Sequence, residues 1–67
     1  MTNGELKGAL IRGDEVIYQS DGFSAAMKLI GIIYRSDNNG GVTVQAELHD
    51  LKADSTLICS PKEIVPK

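Results

Sequence analysis

The chain has 67 residues, which is the size of one small domain and leaves no room for a second. The single cysteine, Cys59, excludes an intrachain disulfide, and the single histidine, His49, cannot complete a Cys/His zinc site. Seven Lys and Arg residues against nine Asp and Glu residues give a net charge of −2, whereas nucleic-acid binders normally carry a basic excess. We therefore expect one domain over residues 1–67, without metal or cofactor, for which nucleic acid is not the expected partner.

No targeting or membrane segment is predicted. The first residues show neither the basic nor the apolar part of a signal peptide. The longest apolar stretch, residues 29–34, is too short to span a bilayer. We expect a cytoplasmic protein in which Cys59 stays reduced, with no membrane partner.

The first third of the chain is divided by turn signals. Residues 5–12 are predicted as an extra N-terminal strand, outside a core domain at residues 13–67. Residues 15–19 follow the turn signal Gly13-Asp14 and are predicted as a strand. Residues 20–24 are predicted as a long loop, because Asp and Gly turn the chain at little steric cost.

Residues 27–35 carry apolar side chains on both faces of a predicted strand. This pattern indicates a central strand that is covered on both sides or exposed at an interface. Gly31 predicts a bulge, a sharp bend or a close backbone approach within it. The alternative is a short helix over residues 24–30, capped by Ser24, but Gly31 and the β-branched residues around it favour a strand.

The second half of the chain predicts three further strands. Residues 42–48 alternate apolar and polar side chains, as a strand with one buried face does. The Asn-Gly signal before them indicates a hairpin with a longer loop. Residues 56–59 predict a short strand after a polar turn at residues 50–55, and residues 61–65 predict a 3₁₀ turn and a last strand. Together the predicted strands indicate a small all-β barrel. We expect this barrel to be closed, because closure removes exposed strand edges.

The layout resembles that of the SH3-like small barrels, which include the KOW and Tudor modules. Residues 13–16, Gly-Asp-Glu-Val, resemble the start of the first barrel strand, and residues 29–33, Leu-Ile-Gly-Ile-Ile, are similar to the second. The resemblance covers residues 13–67 and implies a five- to six-stranded SH3-like barrel with a C-terminal 3₁₀ turn. The layout is also similar to that of the type II plasmid dihydrofolate reductases, whose tetramer encloses an active-site pore. Residues 56–59, Thr-Leu-Ile-Cys, stand where that family has Val-Gln-Ile-Tyr, without the pore-lining Gln and Tyr.

No catalytic constellation is predicted. Cys59 and His49 form a thiolate–imidazole pair if their two strands make a hairpin that brings them together. The simpler interpretation makes Cys59 a small core residue and His49 a solvated residue at a strand end. The acidic residues have no recognised metal-ligand spacing and are interpreted as solvated turn residues.

A partner-binding groove is the one site that we predict. Its residues are Tyr18, Phe23, Tyr34 and Arg35, beside the loop at residues 20–24. The resemblance to SH3-like barrels implies that such a groove binds peptides through aromatic faces. Arg12 and Lys28 are candidates to line its rim with Arg35. The alternative is that two of the three aromatic residues belong to the core and that the basic residues are ordinary surface charges.

The expected function is a non-enzymatic binding or regulatory module that recognises a protein partner. A homo-oligomer with a small-ligand or divergent reductase-like site between subunits is the alternative, which the two apolar faces of residues 27–34 favour. A nucleic-acid accessory factor of the KOW or Tudor kind is the third. Short chains without a catalytic motif are also typical of accessory proteins encoded by phages and mobile elements.

Overall fold

The computed structural model describes residues 1–67 as one antiparallel sheet with one helix packed against it. The elements in chain order are α1 (Asn3–Arg12), β1 (Glu15–Ser20), β2 (Phe23–Ser36), β3 (Val42–Asp50), β4 (Ser55–Cys59), a 3₁₀ turn (Pro61–Glu63) and β5 (Ile64–Pro66). The strands lie side by side in the order β4-β3-β2-β1-β5, and all neighbours are antiparallel. The prediction of an all-β fold with a C-terminal 3₁₀ turn is confirmed, with five strands.

The N-terminal segment is a helix, so the predicted strand at residues 5–12 is wrong. Both ends of α1 are capped. Thr2 and Glu5 form a capping box, in which each side chain accepts a hydrogen bond from the other residue's backbone N–H. At the other end Gly13 adopts a left-handed conformation, and its N–H and that of Asp14 donate to carbonyls of the last helical turn. The ten residues of α1 are too few to cross a membrane, and no other helix of the structure is longer.

A tight hairpin turn joins β1 to β2. Asp21 and Gly22 are the two turn residues, with φ angles of 50° and 81°. Positive φ at both central positions defines the type I′ turn, whose twist matches the flanking strands. The prediction of a long loop at residues 20–24 is therefore wrong, and so is the alternative helix over residues 24–30, because β2 starts at Phe23.

Gly31 marks a β-bulge in β2, as predicted. Leu29 pairs with Leu48 on β3, but Gly31 pairs with Glu47, so Ile30 is the extra residue. A Cβ atom at Gly31 would lie 2.9 Å from a carboxylate oxygen of Glu47, so the Glu47 side chain lies over the backbone of Gly31. β1 pairs with β2 before the bulge, and most of the ladder between β2 and β3 lies after it.

The core lies between α1 and one face of the sheet, which we call the inner face. It contains residues from α1 and from all five strands: Leu6, Ala9, Val16, Met27, Leu29, Ala46, Leu48, Cys59 and Ile64. The strand register places several of them opposite one another, as in the pairs Val16–Met27 and Ala46–Cys59. The helix and all five strands therefore contribute to one shared apolar layer.

The backbone hydrogen bonds do not close the sheet. β4 pairs only with β3, and β5 pairs only with β1, so the two strands are the edges of the sheet. The expectation of a closed barrel is wrong in this respect. The connection between β4 and β5 consists of Ser60 and the 3₁₀ turn, and it is too short to hold a further strand.

Substitutions at buried and at exposed positions of α1 should differ in their effect on the free energy of unfolding. Leu6 is fully buried, whereas the Ile11 side chain of the same helix is 85% exposed. We expect Leu6→Ala to lower the free energy of unfolding by about 2–5 kcal/mol, because it leaves a cavity in the core. Ile11→Ala should change it by less than about 0.5 kcal/mol, because the site is on the surface. Urea denaturation of both variants measures the difference, and equal losses would contradict the position of α1.

Candidate functional site

An aromatic pair lies at the end of the β1–β2 hairpin. The ring centroids of Tyr18 and Phe23 are 6.2 Å apart, and the rings are tilted by 58°. This distance and tilt fall within the range of favourable aromatic pairs. Tyr18 pairs with Ala25 and packs against the core, so its partner Phe23 lies one diagonal position away on the inner face. Phe23 itself remains 55% exposed.

The surface around Phe23 forms a shallow depression. Its volume is about 330 Å³, and residues 19–24 line it. Phe23 is its only large apolar side chain, and the remaining lining is polar or glycine. Because the turn is a tight two-residue turn within a paired hairpin, Phe23 is held at a defined position above the sheet. We call Tyr18, Phe23 and this depression the hairpin site.

Tyr34 and Arg35 do not belong to the hairpin site. They lie near the C-terminal end of β2, where they pair with Val44 and Thr43 of β3, whereas Phe23 is the first residue of β2. Tyr34 is 50% exposed and has no ring partner. The structure therefore brings together two of the four predicted groove residues, Tyr18 and Phe23, and separates the other two from them.

The remaining predicted rim residues are also separate from the hairpin site. The Arg12 Nε atom donates to Asp14 Oδ2 at 2.7 Å, at the C-terminal end of α1. Lys28 follows the buried Met27 and therefore points away from the inner face that carries Phe23. No basic residue lines the depression beside Phe23. The hairpin site is consequently an aromatic and polar surface, not a basic one.

A larger cleft opens between α1, β1 and β5. Its volume is about 550 Å³, and it contains the charged residues Glu5, Arg12, Asp14, Glu15 and Lys67. These charges are already partnered. Lys67 Nζ donates to Glu15 Oε2 at 2.7 Å, and Arg12 pairs with Asp14. The hydrogen bonds from Thr2 hold the pKa of Glu5 below its ordinary value, which favours its ionised form at the helix start. The cleft therefore marks the place where α1 and residues 66–67 pack beside β1.

Cys59 and His49 do not form the thiolate–imidazole pair. Cys59 pairs with Ala46 and is buried on the inner face, whereas His49 follows the buried Leu48 and points to the opposite face. His49 Nε2 lies 3.0 Å from Asp54 Oδ1 in the turn between β3 and β4. Burial raises the pKa of the Cys59 thiol, and the nearby Glu63 carboxylate adds to the effect. The thiol is therefore a protonated core group, and no cluster of three metal-ligating side chains exists in the chain.

The edge strand β4 carries an exposed apolar residue that the sequence analysis did not single out. Ile58 is 47% exposed and lies opposite Glu47 of β3, on the face away from the core. The available signal was the alternation within residues 56–59, in which Leu57 and Cys59 share the inner face and Ile58 does not.

Comparisons with known proteins found no match. No protein-family model, no curated protein and no solved structure is similar to this chain at a significant level.

The burial of Cys59 predicts a protected thiol. Because the pKa is raised in the folded state, the folded protein holds the thiol proton more tightly than the unfolded chain does. The stabilisation that the protonated Cys59 thiol contributes is complete below the pKa of this thiol in the unfolded chain. It is lost as the pH rises through the pKa of the thiol in the folded protein. We expect slow alkylation of Cys59 in the native protein, fast alkylation in denaturant, and a decrease of stability in the alkaline range that Cys59→Ala removes.

Native alkylation is measured with iodoacetamide and mass spectrometry, and stability by urea denaturation at several alkaline pH values. A free cysteine added at the exposed position of Ile11 (Ile11→Cys) serves as the control for an accessible thiol. Equal native rates for Cys59 and this added cysteine would show that Cys59 is not buried.

Proposed function

We propose that this chain is a non-enzymatic binding module with an SH3-like layout of strands, open between β4 and β5, that recognises a protein partner through the hairpin site. The exposed ring of Phe23, supported from below by Tyr18, is the observation that carries the proposal. Large aromatic side chains are frequent energetic centres of protein interfaces. A polar rim, here the residues of the turn, commonly surrounds such a centre.

The rigidity of the hairpin favours binding. Association loses the conformational freedom of every side chain that becomes fixed, and a side chain that is already positioned loses less. Phe23 follows a two-residue turn, and its ring contacts that of Tyr18. Tyr18 in turn packs against the core, so the site is prepared before a partner arrives.

The fold supports the SH3-like assignment. A single sheet of five antiparallel strands, with a 3₁₀ turn before the last strand, is compatible with that architecture. SH3-like domains bind extended peptides through aromatic faces, so an extended segment of another protein is the partner that we propose. The cytoplasm is the compartment that we propose, because a free cysteine is typical of a reducing environment.

The reductase-like and nucleic-acid alternatives have less support. In residues 56–59, the counterpart of the reductase pore run, Cys59 is buried in the core of its own chain and Leu57 packs against that core. The hairpin site contains no Lys or Arg that would neutralise a phosphate. Both observations favour a protein partner at the hairpin site.

Phe23→Ala tests this proposal. Linear peptides selected by display on the wild-type chain provide the probe, and titration calorimetry measures their affinity for each variant. We expect Phe23→Ala to weaken binding by at least about tenfold, because truncation removes the aromatic centre of the site. Tyr34→Ala is the matched control, since Tyr34 has a similar exposure at the other end of β2. It should leave the affinity within about twofold, as surface substitutions remote from a binding centre do.

A selected peptide that binds Phe23→Ala as well as it binds the wild-type chain would overturn the proposal. So would a loss of binding in Tyr34→Ala alone, because it would move the site to the far end of β2. Circular dichroism of both variants confirms that the sheet is intact before the affinities are compared.

A further inference from the structure

The two edges of the sheet differ in the hydrogen bonds that they offer. On β5, the N–H of Ile64 donates to the carbonyl of Pro61, and its carbonyl accepts from the amino group of Met1 at 3.2 Å. Ile64 therefore directs its backbone groups away from β1, and by alternation Val65 directs its own towards β1. Pro66, the next residue that faces outward, has no N–H. The outer side of β5 thus offers no free donor.

The edge at β4 is open. All ladder hydrogen bonds of β4 are made to β3, and no other hydrogen bond involves the backbone of residues 55–59. By alternation, about half of the N–H and C=O groups of this strand point outward without a partner in the chain. The strand also lacks the devices that usually protect an edge, since its sequence Ser-Thr-Leu-Ile-Cys contains no charged residue and no proline.

We propose that β4 pairs with β4 of a second copy, antiparallel and about a two-fold axis near Leu57. The contact joins the two sheets into one continuous sheet. A β4–β5 contact between copies is disfavoured because β5 lacks outward donors. The proposal goes beyond partner recognition at the hairpin site and does not depend on it, because the hairpin lies in β1 and β2 and the contact lies on β4.

The side chains of β4 suit pairing with a second copy. An axis at Leu57 places Thr56 of one copy opposite Ile58 of the other, so both lie on the outer face of the joined sheet. The exposed Ile58 gains a β-branched neighbour there, a favourable cross-strand pair. Leu57 meets its own copy on the inner face, where each already packs against a core.

The charges that flank β4 balance at each end, with Lys52 and Asp54 before the strand and Lys62 and Glu63 beyond it. They therefore do not oppose the pairing of two copies. No charged side chain lies within the strand to oppose the contact. The self-complementary register, in which Thr56 meets Ile58 twice, favours a second copy over an arbitrary extended peptide as the occupant of this edge.

The proposal is tested by measuring the molecular mass of the protein in solution, for the wild-type chain and for variants that carry a lysine on one edge strand. Sedimentation equilibrium over about a thousandfold range of concentration should show a rise towards twice the 7.2 kDa chain mass. Ile58→Lys should raise the dimer dissociation constant by at least about tenfold, because an edge lysine opposes strand pairing. The substitution is compatible with the monomer, since residue 58 is exposed and lies opposite Glu47.

Val65→Lys is the matched control, because Val65 is 39% exposed on the outer face of the other edge strand. It should leave the dissociation constant unchanged. Hydrogen exchange of the wild-type chain adds a measurement that needs no variant. The outward amides of β4 should be protected at high concentration and exchange quickly on dilution, whereas β5 should not respond.

A chain that is monomeric over the whole range would overturn the proposal. A dimer or larger assembly that Val65→Lys disrupts as strongly as Ile58→Lys would also overturn it, and would indicate contacts between β4 and β5. A monomer whose β4 amides become protected only on addition of a display-selected peptide would show that the edge receives a foreign strand instead. None of these results would affect the test of Phe23.

Discussion

Leu6 and Ala9 hold α1 against the inner face of the sheet, and the rest of the structure depends on that contact. A single five-stranded sheet has one apolar face that must be removed from water, and strands alone do not cover it in a chain of 67 residues. The helix supplies the second layer. It is positioned by its own caps and by the hydrogen bonds from the Met1 amino group to Pro61 and Ile64, which link the two ends of the chain.

The positions of the exposed apolar side chains follow from this packing of α1 on the sheet. Because α1 covers the middle of the inner face, Phe23 at the β1–β2 hairpin and Tyr34 and Val42 at the far end of β2 and β3 remain exposed at its margins, whereas Ile58 is exposed on the outer face of the edge strand. These positions are separated along the sheet. They therefore form several small surfaces rather than one groove, and each surface must be tested by itself.

The strands were predictable because their alternation is local. Residues 42–48 alternate apolar and polar side chains along a whole strand, and Gly31 indicated the bulge. The helix was missed although Thr2, Glu5 and Gly13 carry its capping signals, because Gly4 and Gly8 weaken its internal propensity. What stabilises it is the burial of Leu6 and Ala9 against strands distant in the chain. The separation of Tyr34 from Phe23, and the free edge at β4, depend on register and on closure, which no local pattern encodes.

The pairing of β1 with β5 has a consequence for the order in which the protein is made. Strands β1 to β4 form a meander of neighbouring hairpins, whose contacts can form while the chain grows. Ile64 joins the same core only after β4 and pairs with Tyr18, far back in the sequence. The apolar layer is therefore incomplete until Ile64 has left the ribosome. Until then the nascent meander exposes the residues that later form the core, so the domain completes its fold only when its last strand is available.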